Sequence, residues 1–184
     1  MKPGAERGFS LLELAVVVSL ISILVVVAFD RIWSLRAEAE RVAVAQVVGA
    51  IRSALGIEVA RRVLREGVET LAELDGANPM PLLAQVPPGY RGELTDRELG
   101  SVGPGEWYFD KTRGRLGYRV RFAEAFESEL SGDRAEYRVM LRYEDRNGDR
   151  RFDRDHDSIQ GLDLVAAGRF RWIVEAQNPS INLF

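Results

Sequence analysis

The chain has 184 residues, a formal net charge of −3 and no cysteine. The slight acidity speaks against general nucleic-acid binding, and the absence of thiols excludes disulfides, thiolate metal sites and cysteine nucleophiles. Beyond an unusually apolar first segment, the length suffices for one modest folded domain.

Residues 1–8 form a leader with Lys2 and Arg7 against Glu6, so with the free amino terminus it is net positive. Residues 9–29 follow as an apolar run whose only polar side chains are Ser10, Glu13, Ser19 and Ser22, with no Pro or Gly. A helix of that length spans about 30 Å, the thickness of a bilayer's hydrocarbon core. A positive leader keeps the N-terminus cytoplasmic and places the rest of the chain across the membrane. No small-residue cleavage site follows the run, so a retained transmembrane helix is expected rather than a removable secretory signal. A plain signal anchor with Glu13 reaching the headgroups is the alternative.

A carboxylate at mid-membrane costs roughly 2.5–3.5 kcal/mol, less near a helix end, and intramembrane ionisable groups usually have a partner. A cut between Gly8 and Phe9 would supply one, an ammonium on Phe9 four residues from Glu13 and on the same helical face. In a packed assembly, that ammonium could meet the Glu13 of a neighbouring subunit. Losing one partner of a buried pair costs about 3–5 kcal/mol, enough to set axial register between subunits.

The stretch Gly8-Phe9-Ser10-Leu11-Leu12-Glu13-Leu14, between a basic leader and an apolar helix, resembles the prepilin signature of type IV pilins and type II secretion pseudopilins. The resemblance implies that a prepilin peptidase cleaves after Gly8 and N-methylates Phe9, and that Glu13 serves recruitment and assembly. It also implies helix packing against other pilins or pseudopilins, in lipid, at an inner-membrane assembly platform. The C-terminal domain would then stand in the bacterial periplasm. Many major pilins carry a proline near the end of the apolar run and a C-terminal disulfide loop. This chain has no Pro between Pro3 and Pro79 and no Cys, which fits a minor pseudopilin or minor pilin better.

Residues 30–66 lack Pro and favour helix. Val44, Val48, Ile51, Leu55, Val59 and Val63 recur at three- and four-residue spacing, a stripe suited to packing on a sheet. Arg36, Glu40, Arg41, Arg52, Arg61, Arg62 and Arg65 fall mostly off it. One helix is therefore expected from about residue 9 to 66, with Gly49 and Gly56 as mild breakers, Gly67 as C-cap and a short helix over 68–74. Residues 67–106 hold Pro79, Pro81, Pro87, Pro88 and Pro104 with much Gly, and read as an irregular connecting region packed on the domain. Asn78-Pro79-Met80-Pro81-Leu82-Leu83, then Pro-Pro-Gly-Tyr, resembles a segment of some minor pseudopilins and minor pilins.

Residues 107–184 read as the antiparallel sheet part of the domain. Trp107–Asp110 is a short aromatic strand and residues 111–114 a turn. Leu116, Tyr118, Val120 and Phe122 alternate with Arg115, Arg119 and Arg121. Tyr137, Val139, Leu141 and Tyr143 alternate with Arg138 and Arg142, and Phe170, Trp172 and Val174 with Arg169, Arg171 and Ile173. Helix then sheet gives an α+β layout, as in pseudopilin globular domains, which this strand pattern resembles. The strand arginines read as a solvated face or subunit contact before an anion site.

Residues 144–157 form an acidic loop. Asp145, Asn147, Asp149 and Asp153 occupy the first, third, fifth and ninth places of an EF-hand-like Ca²⁺ loop, but Arg150 stands where glycine belongs and His156 where the bidentate Glu belongs. Asn147-Gly148 between β-prone stretches equally signals a plain hairpin. Both readings stand. The chain shows no phosphate loop, nucleophile elbow or zinc-protease motif, so a structural subunit is expected rather than an enzyme.

Overall fold

Helix α1 runs unbroken over Leu11–Glu66 in the computed structural model, which describes residues 10–129 and 132–173. Ser10 caps its start, its side chain accepting the Glu13 N–H. Gly67 ends it at φ 91°, a conformation an L side chain rarely adopts, and its N–H bonds the Arg62 carbonyl. With no proline to remove a ladder bond, 56 residues extend about 84 Å. The expected start at Phe9 lies outside the described residues. A 3-10 helix over Val68–Leu74 follows, as expected in place, though tighter than an α-helix.

The strands are β1 (Tyr90–Leu94), β2 (Trp107–Asp110), β3 (Arg115–Arg119), β4 (Phe126–Ser128), β5 (Arg134–Glu144), β6 (Ser158–Ala166) and β7 (Phe170–Trp172). The main sheet has the order β1-β2-β3-β5-β6, and β4 pairs with β7 in a separate ribbon. All pairings are antiparallel except β1 with β2. The architecture is α+β: one long helix laid on one face of a sheet.

Three expectations need correction. The region 67–106 is not wholly irregular, because it supplies edge strand β1. Gly92 sits inside that strand at φ 87° with a register shift between Tyr90 and Glu93, which hides the usual alternation. The residues around Phe170 do not join the main antiparallel sheet, as expected of residues 107–184, but pair with β4, closing the end of the core; Val174 lies outside the described residues. There Phe126 meets Trp172 and Phe170 at 5.0 and 5.6 Å between ring centroids, the first edge-on. The first arginine-rich strand stops at Arg119, short of Phe122.

The core lies between helix and sheet. Val44, Val48, Ile51 and Leu55 pack against Trp107, Phe109, Leu116, Tyr118 and Leu164. The helical stripe is thus confirmed over its first four members, while Val59 is half-buried and Val63 exposed. The far face of the sheet holds a smaller cluster of Leu99, Val102 and Tyr108, with Leu94 against it. The hydroxyl end of the Tyr108 ring crowds Gly117, where a Cβ would come within 2.1 Å of the ring's Cζ.

Candidate functional site

From Leu11 to Phe29 the side chains of α1 are all exposed, a stretch long and apolar enough to cross a membrane. Residues 35–66 also pass by length and composition, but one face of that half is buried on the sheet. Most polar groups of the uncovered half are satisfied within the helix. The Ser10 Oγ accepts the Glu13 N–H at 3.2 Å. The Ser19 and Ser22 hydroxyls each donate to the carbonyl four residues back, Ala15 and Val18, at 2.8 Å. Among the described residues nothing bonds the Glu13 carboxylate, which stands as the one unmatched charge of this segment.

Where α1 reaches the domain, a second acid behaves differently. Glu40 is 9 % exposed. Its Oε1 accepts the Tyr118 hydroxyl at 2.6 Å and the Arg121 N–H at 2.7 Å, and its Oε2 accepts the Phe122 N–H at 3.1 Å. These backbone donors lie just past the end of β3, where the ladder no longer supplies acceptors. Burial first, and the adjacent Glu40 second, push the Tyr118 phenol well above its ordinary value. Further up the helix the Arg52 guanidinium donates to the Leu164 carbonyl of β6 at 3.1 Å. Near the top, buried Glu58 accepts from Arg61 and from Arg62, the latter at 3.0 Å. Arg62 also donates to the Thr70 carbonyl at 3.2 Å.

The acidic loop joins β5 to β6, with Glu144 paired to Ser158, so Asn147-Gly148 sits inside a long loop rather than a two-residue turn. Asp145 accepts the N–H groups of Gly148 and Arg150 at 2.7 and 2.8 Å. Asn147 accepts from Asp149 at 3.0 Å and Asp149 from Arg151 at 2.7 Å. Asp153 accepts from Asp155 at 2.9 Å and meets the His156 Nδ1 at 3.0 Å. Arg150 takes φ 63°, the left-handed conformation for which the loop's glycine place exists. Among the described residues no group of three or more His, Asp or Glu side chains is placed to hold a metal ion. The strand arginines are largely neutralised: Arg115 by Glu136 at 3.0 Å, Arg119 by Asp133 at 2.7 Å and Arg138 by Asp75 at 2.9 Å.

A family model for the prokaryotic N-terminal methylation motif matches residues 4–29, the leader and the uncovered half of α1. The matched segment is similar to the N-terminal motif of type IV pilins and pseudopilins and supports a pilin-like reading of the chain. Comparison with curated proteins and with solved structures gave no match.

In this pilin-like chain, Glu13 lies within both the matched segment and the described residues. Gly8 and Phe9 lie in the matched segment but outside the described residues. Sequence reasoning missed Glu40 by grouping it with the off-stripe charges. Its spacing was the available signal, since residues 40, 44 and 48 fall four apart on one helical face.

Proposed function

We propose that this pilin-like chain is a structural subunit, a minor pseudopilin, of a type II secretion pseudopilus. One observation carries the reading: a single continuous helix holds a folded domain on its upper half and leaves its lower half exposed around the Glu13 carboxylate, which has no partner among the described residues. A tether that never polymerises has no need of that carboxylate, whereas helices bundled in lipid can pair it. In the processed protein, the Phe9 amine of one subunit would neutralise the Glu13 of another. The leader would stay cytoplasmic until prepilin peptidase removes it, and the domain would stand in the periplasm. The proline-free helix and the lack of cysteine favour a minor subunit. A minor pilin of a surface type IV pilus is the second reading, distinguished by loss of pili rather than loss of secretion when the chain is deleted.

The test is Glu13→Ala in the native host. The expected result is normal membrane insertion with loss of co-assembly and of secretion. Normal assembly by this variant would remove the main support for a filament. Mass spectrometry should find a methylated Phe9 at the mature N-terminus.

Calcium in the acidic loop is a separate proposal, supported by the spacing of Asp145, Asn147, Asp149 and Asp153 and by the left-handed Arg150. Added Ca²⁺ should raise the melting temperature of the full chain, chelator should reverse this, and Asp145→Ala should abolish the response. No response to Ca²⁺ would end the idea.

A further inference from the structure

The helix meets the sheet through a stripe that does not by itself specify where along the helix the sheet should sit. Val44, Val48, Ile51 and Leu55 are buried and Val59 continues the row, all aliphatic and spaced three or four apart. Shifting the helix by one turn would again place aliphatic side chains against most of the same sheet surface.

Polar groups break that degeneracy. The Glu40 carboxylate is bonded by three donors from a segment about eighty residues away in sequence. A one-turn slip in one sense would put Val44 beside Tyr118, leaving its hydroxyl and two backbone N–H groups without an acceptor. A slip in the other sense would drive the Glu40 carboxylate into the site of Val44, which is 3 % exposed. Both outcomes leave buried or part-buried polar groups unpaired. A second long-range bond, Arg52 to the Leu164 carbonyl, lies three turns higher and must break in either slip.

We infer that Glu40, assisted by Arg52, is a positioning residue that fixes the axial register of α1 on the sheet. It thereby sets how far the domain stands from the membrane-spanning half of the helix. A single polar residue among apolar ones fixing register is the role best attested for buried polar groups in helical seams. The inference concerns one chain and does not rest on filament formation.

The absence of cysteine lets two labels be added without removing any native thiol. Spin labels on cysteines introduced at exposed Ala50 of α1 and exposed Lys111 of the β2–β3 turn report register in the full chain, reconstituted in vesicles of phosphatidylethanolamine and phosphatidylglycerol. The otherwise unmodified chain should give one narrow distance distribution. Glu40→Ala should add a second population displaced by up to about 6 Å, the rise of four helical residues. Glu40→Gln keeps an oxygen for the Tyr118 and Arg121 bonds and should keep the single distance, whereas Glu40→Leu, of similar bulk but without an acceptor, should show the second population, which a merely bulk-packing role would not produce. A folded Glu40→Ala protein with an unchanged single distance overturns the inference. Should Glu40→Ala not fold, Arg52→Met is read in the same way. It is expected to broaden the distribution toward the slipped distance, and an unchanged width overturns the inference.

Discussion

The Tyr118 hydroxyl donates to the Glu40 carboxylate across 2.6 Å, tying the end of the third strand to the lower turns of the helix's packed half. Hydrogen bonds to a charged group contribute about 1.5–3 kcal/mol. Tyr118→Phe keeps the ring, which packs at a tilt against Trp107 with centroids 4.8 Å apart, and leaves Glu40 its two backbone donors. The variant should therefore lose about 2 kcal/mol in urea unfolding of the full chain, with an unchanged denaturant slope. A loss below a few tenths of a kcal/mol would mean that water replaces the hydroxyl at no cost.

Alkaline unfolding should begin above pH 10. Burial, first among the causes, raises Tyr108 and Tyr137 from their ordinary 10 to about 12, and it raises Tyr118 as well. A group whose folded pKa is raised contributes stability that is complete below its unfolded value and is lost as pH rises through the folded one. Between pH 10 and about 12 the unfolded chain releases phenolic protons that the folded chain retains, so stability falls. Tyrosinate absorbance from the buried phenols should appear together with loss of tertiary circular dichroism. Smooth titration near pH 10 in a chain that stays folded would contradict the burial.

The features legible in the sequence were those written in local periodicity. The membrane-length run, the long helix, its aliphatic stripe and the two arginine-alternating strands each follow from spacing within one element. Strand β1 was not legible because Gly92 and its register shift break the alternation, and it pairs with β2 only after the chain has crossed residues 95–106. Strand β6 was missed for a related reason, since Gly161 and Asp163 interrupt its apolar residues. The Glu40 clamp depends on three donors that converge only in the folded state. Glu13, by contrast, stood out from the sequence because hydrocarbon offers a charge no local remedy.

Gly117→Ala should be among the most damaging conservative changes in the domain. The new methyl would lie 2.1 Å from the Tyr108 Cζ and 2.4 Å from its hydroxyl, on a ring held against Leu99 and Val102. Overpacking of this kind costs typically about 1–3 kcal/mol and occasionally more. Tyr108→Phe tests the same contact from the other side. The Tyr108 hydroxyl is buried without a hydrogen-bond partner among the described residues. Deleting it removes an unmet desolvation cost, so the single variant should be neutral or more stable by up to about 1 kcal/mol. It should not rescue Gly117→Ala, because the ring carbon remains in the way. Melting temperatures of the two single variants and the double variant decide the matter.

The single histidine should report on the acidic loop. His156 is raised above its ordinary 6.5, first by its hydrogen bond to Asp153 and then by that carboxylate's charge. Asp153 is lowered from its ordinary 3.8, first by the Asp155 N–H and then by His156. The histidine's contribution is complete below pH 6.5 and is lost as pH rises through its folded value. The aspartate's is complete above pH 3.8 and is lost as pH falls through its folded value. Their interaction is therefore fullest between about pH 4 and 6.5, within the range set by those ordinary values. Both groups face solvent, so salt should weaken the pairing and global stability should barely register it. Nuclear magnetic resonance titration of the His156 ring should place its midpoint above 6.5, and Asp153→Asn should move the midpoint down toward the ordinary value. A midpoint indifferent to that substitution would show that the two side chains do not meet in solution.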